Sequence, residues 1–231
     1  LILNDLVMIR KLQNTDDKVV ANDRFTYRVL KVLDKDRFTL GYNLNNREVD
    51  ILQASKNFYV RKYEMSELSG IEIEHCTFAD NDASIYAEQA ERVTVKKCKI
   101  EGGYGGINLV NTAYATICEN TLRNNSGGRA IYLTDKNARI ENNTIENAKE
   151  DAIEIHGTEN SIIKGNTFIN CGSESQMVMY LKFITSTVIE QNIFQQTSGL
   201  NYGIVIEGAA TVKNNSYSSE SYAKWLTITP K

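Results

Sequence analysis

The residues best suited to chemistry are gathered at the end of one stretch, Glu141 to Gly157, which reads ENNTIENAKEDAIEIHG. Glu154 and His156, the latter one of only two histidines in the chain, lie two residues apart and so share one face of an extended strand. A carboxylate beside an imidazole can move protons, and Asp135 or Asp151 could supply the second carboxylate that acid–base cleavage of a glycosidic bond requires. Tyr132, His156 and Lys182 together could instead act as proton donor, base and carboxylate-neutralising cation on a uronic acid. Either chemistry needs side chains far apart in sequence to meet at one corner, so the elements that position them decide the matter.

Those elements repeat. The pattern apolar-x-x-[Asn/Cys]-x-apolar occurs around Cys76, Cys98, Asn120, Asn143, Asn166, Asn192 and Asn215, in steps of 22, 22, 23, 23, 26 and 23 residues. Between beats lie apolar-x-apolar triplets: Ile85–Ala87, Ile107–Leu109, Ile131–Leu133, Ile153–Ile155, Met179–Leu181 and Ile204–Ile206. Short alternating strands on a fixed period, without helical periodicity, predict a solenoid of stacked β coils. Successive coils about 4.8 Å apart place each residue over its counterpart one repeat earlier. The five asparagines then form an inward amide ladder, and their tolerance of the left-handed conformation explains turns made with only 14 glycines and one proline. Cys76 and Cys98 take the first two rungs, read as small buried side chains. Two positions earlier, Glu74, Lys96, Cys118, Glu141, Lys164, Glu190 and Lys213 give a solvated face of mostly alternating charge.

The repeat resembles the right-handed parallel β-helix of the pectate lyase-like superfamily over about residues 66–225. The predicted fold is all-β, a right-handed parallel β-helix of about seven coils (66–231) behind a small N-terminal β segment (1–65). That segment carries two hairpin-like runs, DLVMIRKL and RFTYRVLKVLDKDRFTLGY, the second turning at Asp34-Lys35-Asp36, and NFYVRKYEM is expected to lead into or cap the first coil. It is similar to small β modules inserted in phage tail and tailspike proteins.

In each triplet the middle residue faces outward, giving a row of Tyr86, Asn108, Tyr132, Glu154, Tyr180 and Val205 along the solenoid. Aromatic faces interleaved with hydrogen-bonding groups suit sugar rings and their hydroxyls, so Tyr86, Asn108, Tyr132, Tyr180 and Lys182 are the expected substrate-binding residues and Glu154, His156 and Asp135 the expected catalytic ones. The resemblance implies lyases, hydrolases, C5-epimerases and trimeric phage tailspikes as the functional range. A phage tailspike-type protein that binds, and in its enzymatic form cleaves, a surface or extracellular polysaccharide, acting as a homotrimer on the virion tail, leads this range. A secreted bacterial polysaccharide lyase or uronate C5-epimerase and a non-catalytic structural spacer are the alternatives.

Composition narrows partners further. A net charge of −3 with no run of five like charges argues against nucleic acid, and no apolar stretch approaches the roughly 20 residues that span a bilayer. The four cysteines form no C-x-x-C pair, so neither a metal nor another cofactor is expected; unpaired thiols fit assembly in a reducing compartment. A start at Leu1 without a basic and apolar leader reads as a fragment whose leader, if any, lies upstream.

Overall fold

The computed structural model describes the strands Leu6–Lys11, Thr26–Val32, Phe38–Tyr42 and Phe58–Tyr63, and residues 69–172, 177–195, 201–217 and 222–229. The chain divides into two compact units, Leu1–Met65 and Ser66–Lys231.

The first unit is a four-stranded antiparallel sheet in the order Phe38–Tyr42, Thr26–Val32, Leu6–Lys11, Phe58–Tyr63. The hairpin read from the sequence is present, with Val32 opposite Phe38, while its turn at Asp34–Asp36 lies outside the described residues. Phe58–Tyr63 pairs along its whole length with Leu6–Lys11 at the edge of this sheet.

The second unit is a parallel β-solenoid of about six full turns, bounded by seven stacked rungs. Each turn has three strands where the sequence pattern suggested two. The apolar-x-x-Asn-x-apolar unit is cut by its own asparagine into two short strands, such as Thr116–Cys118 and Thr121–Arg123, and the apolar triplet supplies the other, such as Ile131–Lys136. The triplet strands form a first face, those before the ladder residue a second, and those after it a third. Met177–Glu190 and Asn201–Lys213 run continuously around the corner from the first face to the second.

Period-2 alternation sends Ile107, Ile131 and Ile153 inward on the first face, Ile117, Ile140 and Ile163 on the second, and Leu122, Ile145 and Phe168 on the third, all essentially inaccessible. Because the strands pair in parallel without register shift on the second and third faces, each inward side chain stacks on a like one and the core is a set of aliphatic columns. Phe168 stacks on Phe194 at 4.8 Å, and Trp225 closes edge-on against Phe194 at 4.9 Å.

The ladder forms as predicted. Asn120, Asn143, Asn166 and Asn192 each donate from Nδ2 to the Oδ1 of the next rung at 2.9–3.0 Å, and the backbone N–H of each also donates to that same oxygen. A second Nδ2 bond reaches a carbonyl of the preceding coil, Ile117 in the case of Asn143. The left-handed conformation, however, belongs to the residue before each rung: His75, Lys97, Glu119, Asn142, Gly165, Gln191 and Asn214 have φ of 52–66°. Asparagine does take that conformation at the next corner, where Asn124, Asn147 and Asn170 follow the third-face strands. Cys98 is buried, but Cys76 is exposed, contrary to the reading of both as buried rungs. The charged face is real, with Lys96 at 3.8 Å from Glu74 and Glu190 bridging Lys164 (2.9 Å) and Lys213 (3.1 Å).

Candidate functional site

Pairing on the first face brings the expected binding residues into one row. Tyr86 pairs with Asn108, Asn108 with Tyr132, Tyr132 with Glu154, Glu154 with Tyr180, and Tyr180 with Val205. Successive members are about 4.8 Å apart, so Tyr86, Tyr132 and Tyr180 recur every second coil, about 10 Å apart. Tyr86 is 55% exposed, while Asn108, Tyr132 and Tyr180 are half-buried. Val205 at the end of the row is buried.

Glu154 departs from the open position expected for it. Its side chain retains only 4% exposure because two side chains close over it: Arg129 Nε bonds Oε2, and His156 Nε2 lies 2.6 Å from Oε1. The imidazole contact has ion-pair distance without in-line hydrogen-bond geometry. Burial alone would raise the Glu154 carboxyl. His156 and Arg129 outweigh it and hold the group below the usual carboxylate range, so Glu154 is an anion at neutral pH. A carboxylate fixed in this state is a poor general acid, since that role needs a raised value. What it can do is orient Arg129 and His156.

Both tyrosines flank the imidazole edge-on. The Tyr132 and His156 ring centres are 5.6 Å apart at 76°, and those of His156 and Tyr180 are 6.4 Å apart at 86°. The guanidinium of Arg129 lies 6.0 Å from the Tyr132 ring centre. Lys182, in register with His156, holds its ammonium 5.1 Å from the Tyr180 ring, and the Tyr180 hydroxyl donates to Glu207 Oε1 at 2.5 Å. Tyr132, Glu154, His156, Tyr180 and Lys182 therefore do converge.

Asp135 does not join them. Its carboxylate is fully buried and turns to the preceding coil, where Oδ2 accepts from the Thr112 hydroxyl. Burial pushes it up to about 7 against that bond and the nearby backbone N–H groups of Ala115 and Tyr114. Asp151 is also buried, accepts from Met177 N at 2.9 Å, and is raised by burial to about 6; Glu154 and Arg129 both act on its charge. Arg129, with Glu150 at 3.8 Å, is the site residue that the sequence reading missed. It lies 25 residues from Glu154, off the 22–23-residue step. The available signal was an arginine in the short GGRA segment just before the Tyr132 strand. Among the described residues, no group of three or more His, Cys, Asp and Glu side chains is placed to hold a metal ion.

The model of one family, described as right handed beta helix region, matches residues 53–157 and again residues 124–228. The second match begins 71 residues after the first (124 − 53), about three turns on, as a self-similar solenoid allows. No curated protein matches the chain.

Proposed function

We propose that this chain, which belongs to the right-handed β-helix family, recognises a surface or extracellular polysaccharide along the first face of its solenoid. The observation that carries the reading is the in-register row Tyr86, Asn108, Tyr132, Glu154, Tyr180. It offers aromatic surface at intervals of about 10 Å, with hydrogen-bonding and cationic groups between. Sugar rings stack on Tyr86 and Tyr132, while Arg129, His156 and Lys182 meet hydroxyl or carboxylate oxygens. Glu154 then serves as the buried anion that holds Arg129 and His156 in place.

Within this reading the finer assignment is a tailspike-type receptor-binding protein, homotrimeric and displayed on a virion tail. The resemblance of residues 1–65 to inserted tail modules supports it, and a sedimentation mass of three chains is its expected outcome.

The test is direct binding to a panel of capsular and O-antigen polysaccharides. Tyr86→Ala and Tyr132→Ala are each expected to weaken Kd about tenfold or more, equivalent to about 1.4 kcal/mol, with little change in Tm. Wild-type affinity in both variants would remove the row as the binding surface. The same assay addresses cleavage. Glu154, held as an anion, is a poor general acid for glycoside hydrolysis, so an unsaturated uronate product is the catalytic outcome to look for.

A further inference from the structure

The first two ladder rungs carry thiols in place of amides, and the fold sets them face to face. Glu74 pairs with Lys96 and Thr77 with Lys99, so Cys76 and Cys98 occupy the same position on consecutive coils. Rungs in register are about 4.8 Å apart, inside the range of about 4.4–6.8 Å that a disulfide spans between Cα atoms. Both thiols point alike: Cys76 Sγ lies 3.3 Å from Glu74 O, and Cys98 Sγ lies 3.4 Å from Lys96 O. Cys98 Sγ also reaches Ile73 O at 3.4 Å, on the coil of Cys76, just as Asn120 Nδ2 reaches Val95 O. The Cys98 thiol therefore already leans toward the neighbouring rung. Access is unequal: Cys76 is exposed and Cys98 buried.

We propose that Cys76 and Cys98 form a reversible redox site, closing into a disulfide that staples the first two coils of the described solenoid when a small-molecule disulfide is present. The exposed Cys76 thiolate attacks one sulfur of the reagent, forming a mixed disulfide and releasing one equivalent of reduced thiol. The Cys98 thiolate then attacks the Cys76 sulfur, forming the Cys76–Cys98 bond and expelling the second reduced thiol. Two electrons pass to the reagent, and the two cysteine protons end on the released thiols. Burial raises the Cys98 thiol, which makes Cys98 the resolving partner and Cys76 the point of entry. Cβ atoms must approach to about 3.5–4.5 Å, a movement of under about 1 Å between two rungs. Cys118 and Cys171 have no cysteine at the same position on an adjacent coil and serve as internal controls.

The full chain is incubated in native buffer at mildly alkaline pH with oxidised glutathione, alkylated, and digested with a glutamyl endopeptidase. Cleavage after Glu74, Glu88, Glu91 and Glu101 puts the two thiols on separate peptides, 75–88 and 92–101. The expected product is those peptides joined, two alkylations lost, and a urea midpoint that rises and returns with dithiothreitol. Cys98→Asn restores the ladder amide and so keeps the fold; it should abolish the joined pair and leave glutathione on Cys76. Both thiols alkylated after native oxidation, a mixed disulfide persisting on wild-type Cys76, or cross-links scattered among all four cysteines would each overturn the proposal.

Discussion

Replacing Asn143 by alanine measures what the ladder contributes, because its amide is engaged on every side. Oδ1 accepts from the backbone N–H and the Nδ2 of Asn120, both at 3.0 Å; Nδ2 donates to Ile117 O and Asn166 Oδ1, both at 2.9 Å. After truncation, Asn120 Nδ2 keeps Val95 O and Asn166 Oδ1 keeps the backbone N–H of residue 143. The Asn120 backbone N–H loses its acceptor in a site without solvent, while the Ile117 carbonyl, in a strand paired with Arg139–Glu141, loses one of its donors. An orphaned buried N–H costs about 1–3 kcal/mol and a lost bond about 0.5–1.5 kcal/mol, so Asn143→Ala should destabilise the solenoid by about 2–4 kcal/mol. Asn215 makes equivalent bonds at a half-buried rung, where water can replace them, and Asn215→Ala should cost about 1 kcal/mol. Urea unfolding followed by circular dichroism, with slopes compared to confirm equal exposed surface, gives both values. Equal costs at the two positions, or a loss below about 1 kcal/mol at Asn143, would show that the ladder follows from stacking and does not sustain it.

Two other perturbations test separate features. Asp135 has a folded value of about 7 against an ordinary one near 4. The stability tied to its protonated form is complete below the unfolded value and is lost as pH rises through the folded one. Between pH 5 and pH 8 this group alone should remove about 2–3 kcal/mol, and the Asp135→Asn variant should lack that slope in a pH series of unfolding midpoints. Glu119 holds φ of 58° at a position that suits glycine, and its exposed contact with Lys97 at 3.9 Å contributes little. Glu119→Gly should therefore leave stability unchanged or raise it by up to about 1 kcal/mol, read as a higher Tm; a drop of that size would mean the left-handed backbone is not strained there.

What the sequence disclosed and what it concealed follow from range. Stacking copies a local pattern from coil to coil, so one motif met seven times gives the period, the columns and the ladder; Asn143 could be assigned as a rung because Asn120 and Asn166 stand at the same place. The outward row was legible for the same reason, since Tyr132 and Glu154 differ by one repeat. Corners break that rule. The first face loses register between Leu109 and Thr112 opposite Leu133 and Asp135, and this irregularity turns Asp135 into the preceding coil and away from Glu154. Arg129 enters from a corner as well, 25 residues from its partner, where no repeat position predicts it. The left-handed turn residues escaped notice because adjacent asparagines such as Asn142 and Asn143 look alike in sequence while only the first adopts positive φ.

Glu154 is the one member of the row whose presence the solenoid does not explain. Val205 shows that an apolar residue fits the same position, two coils on, with its neighbours paired normally. Burying a carboxylate there instead costs desolvation, recovered only because Arg129 and His156 are drawn onto it. An ion pair of this kind is seldom more stabilising than a packed hydrophobe of similar size, so stability alone gives no reason to keep it. Its structural consequence is to fix an arginine and a histidine between Tyr132 and Tyr180 at the centre of the aromatic row. A guanidinium and an imidazole held rigidly between two aromatic edges form a surface for a ligand that is both ring-shaped and rich in oxygen, and the buried charge makes that placement possible.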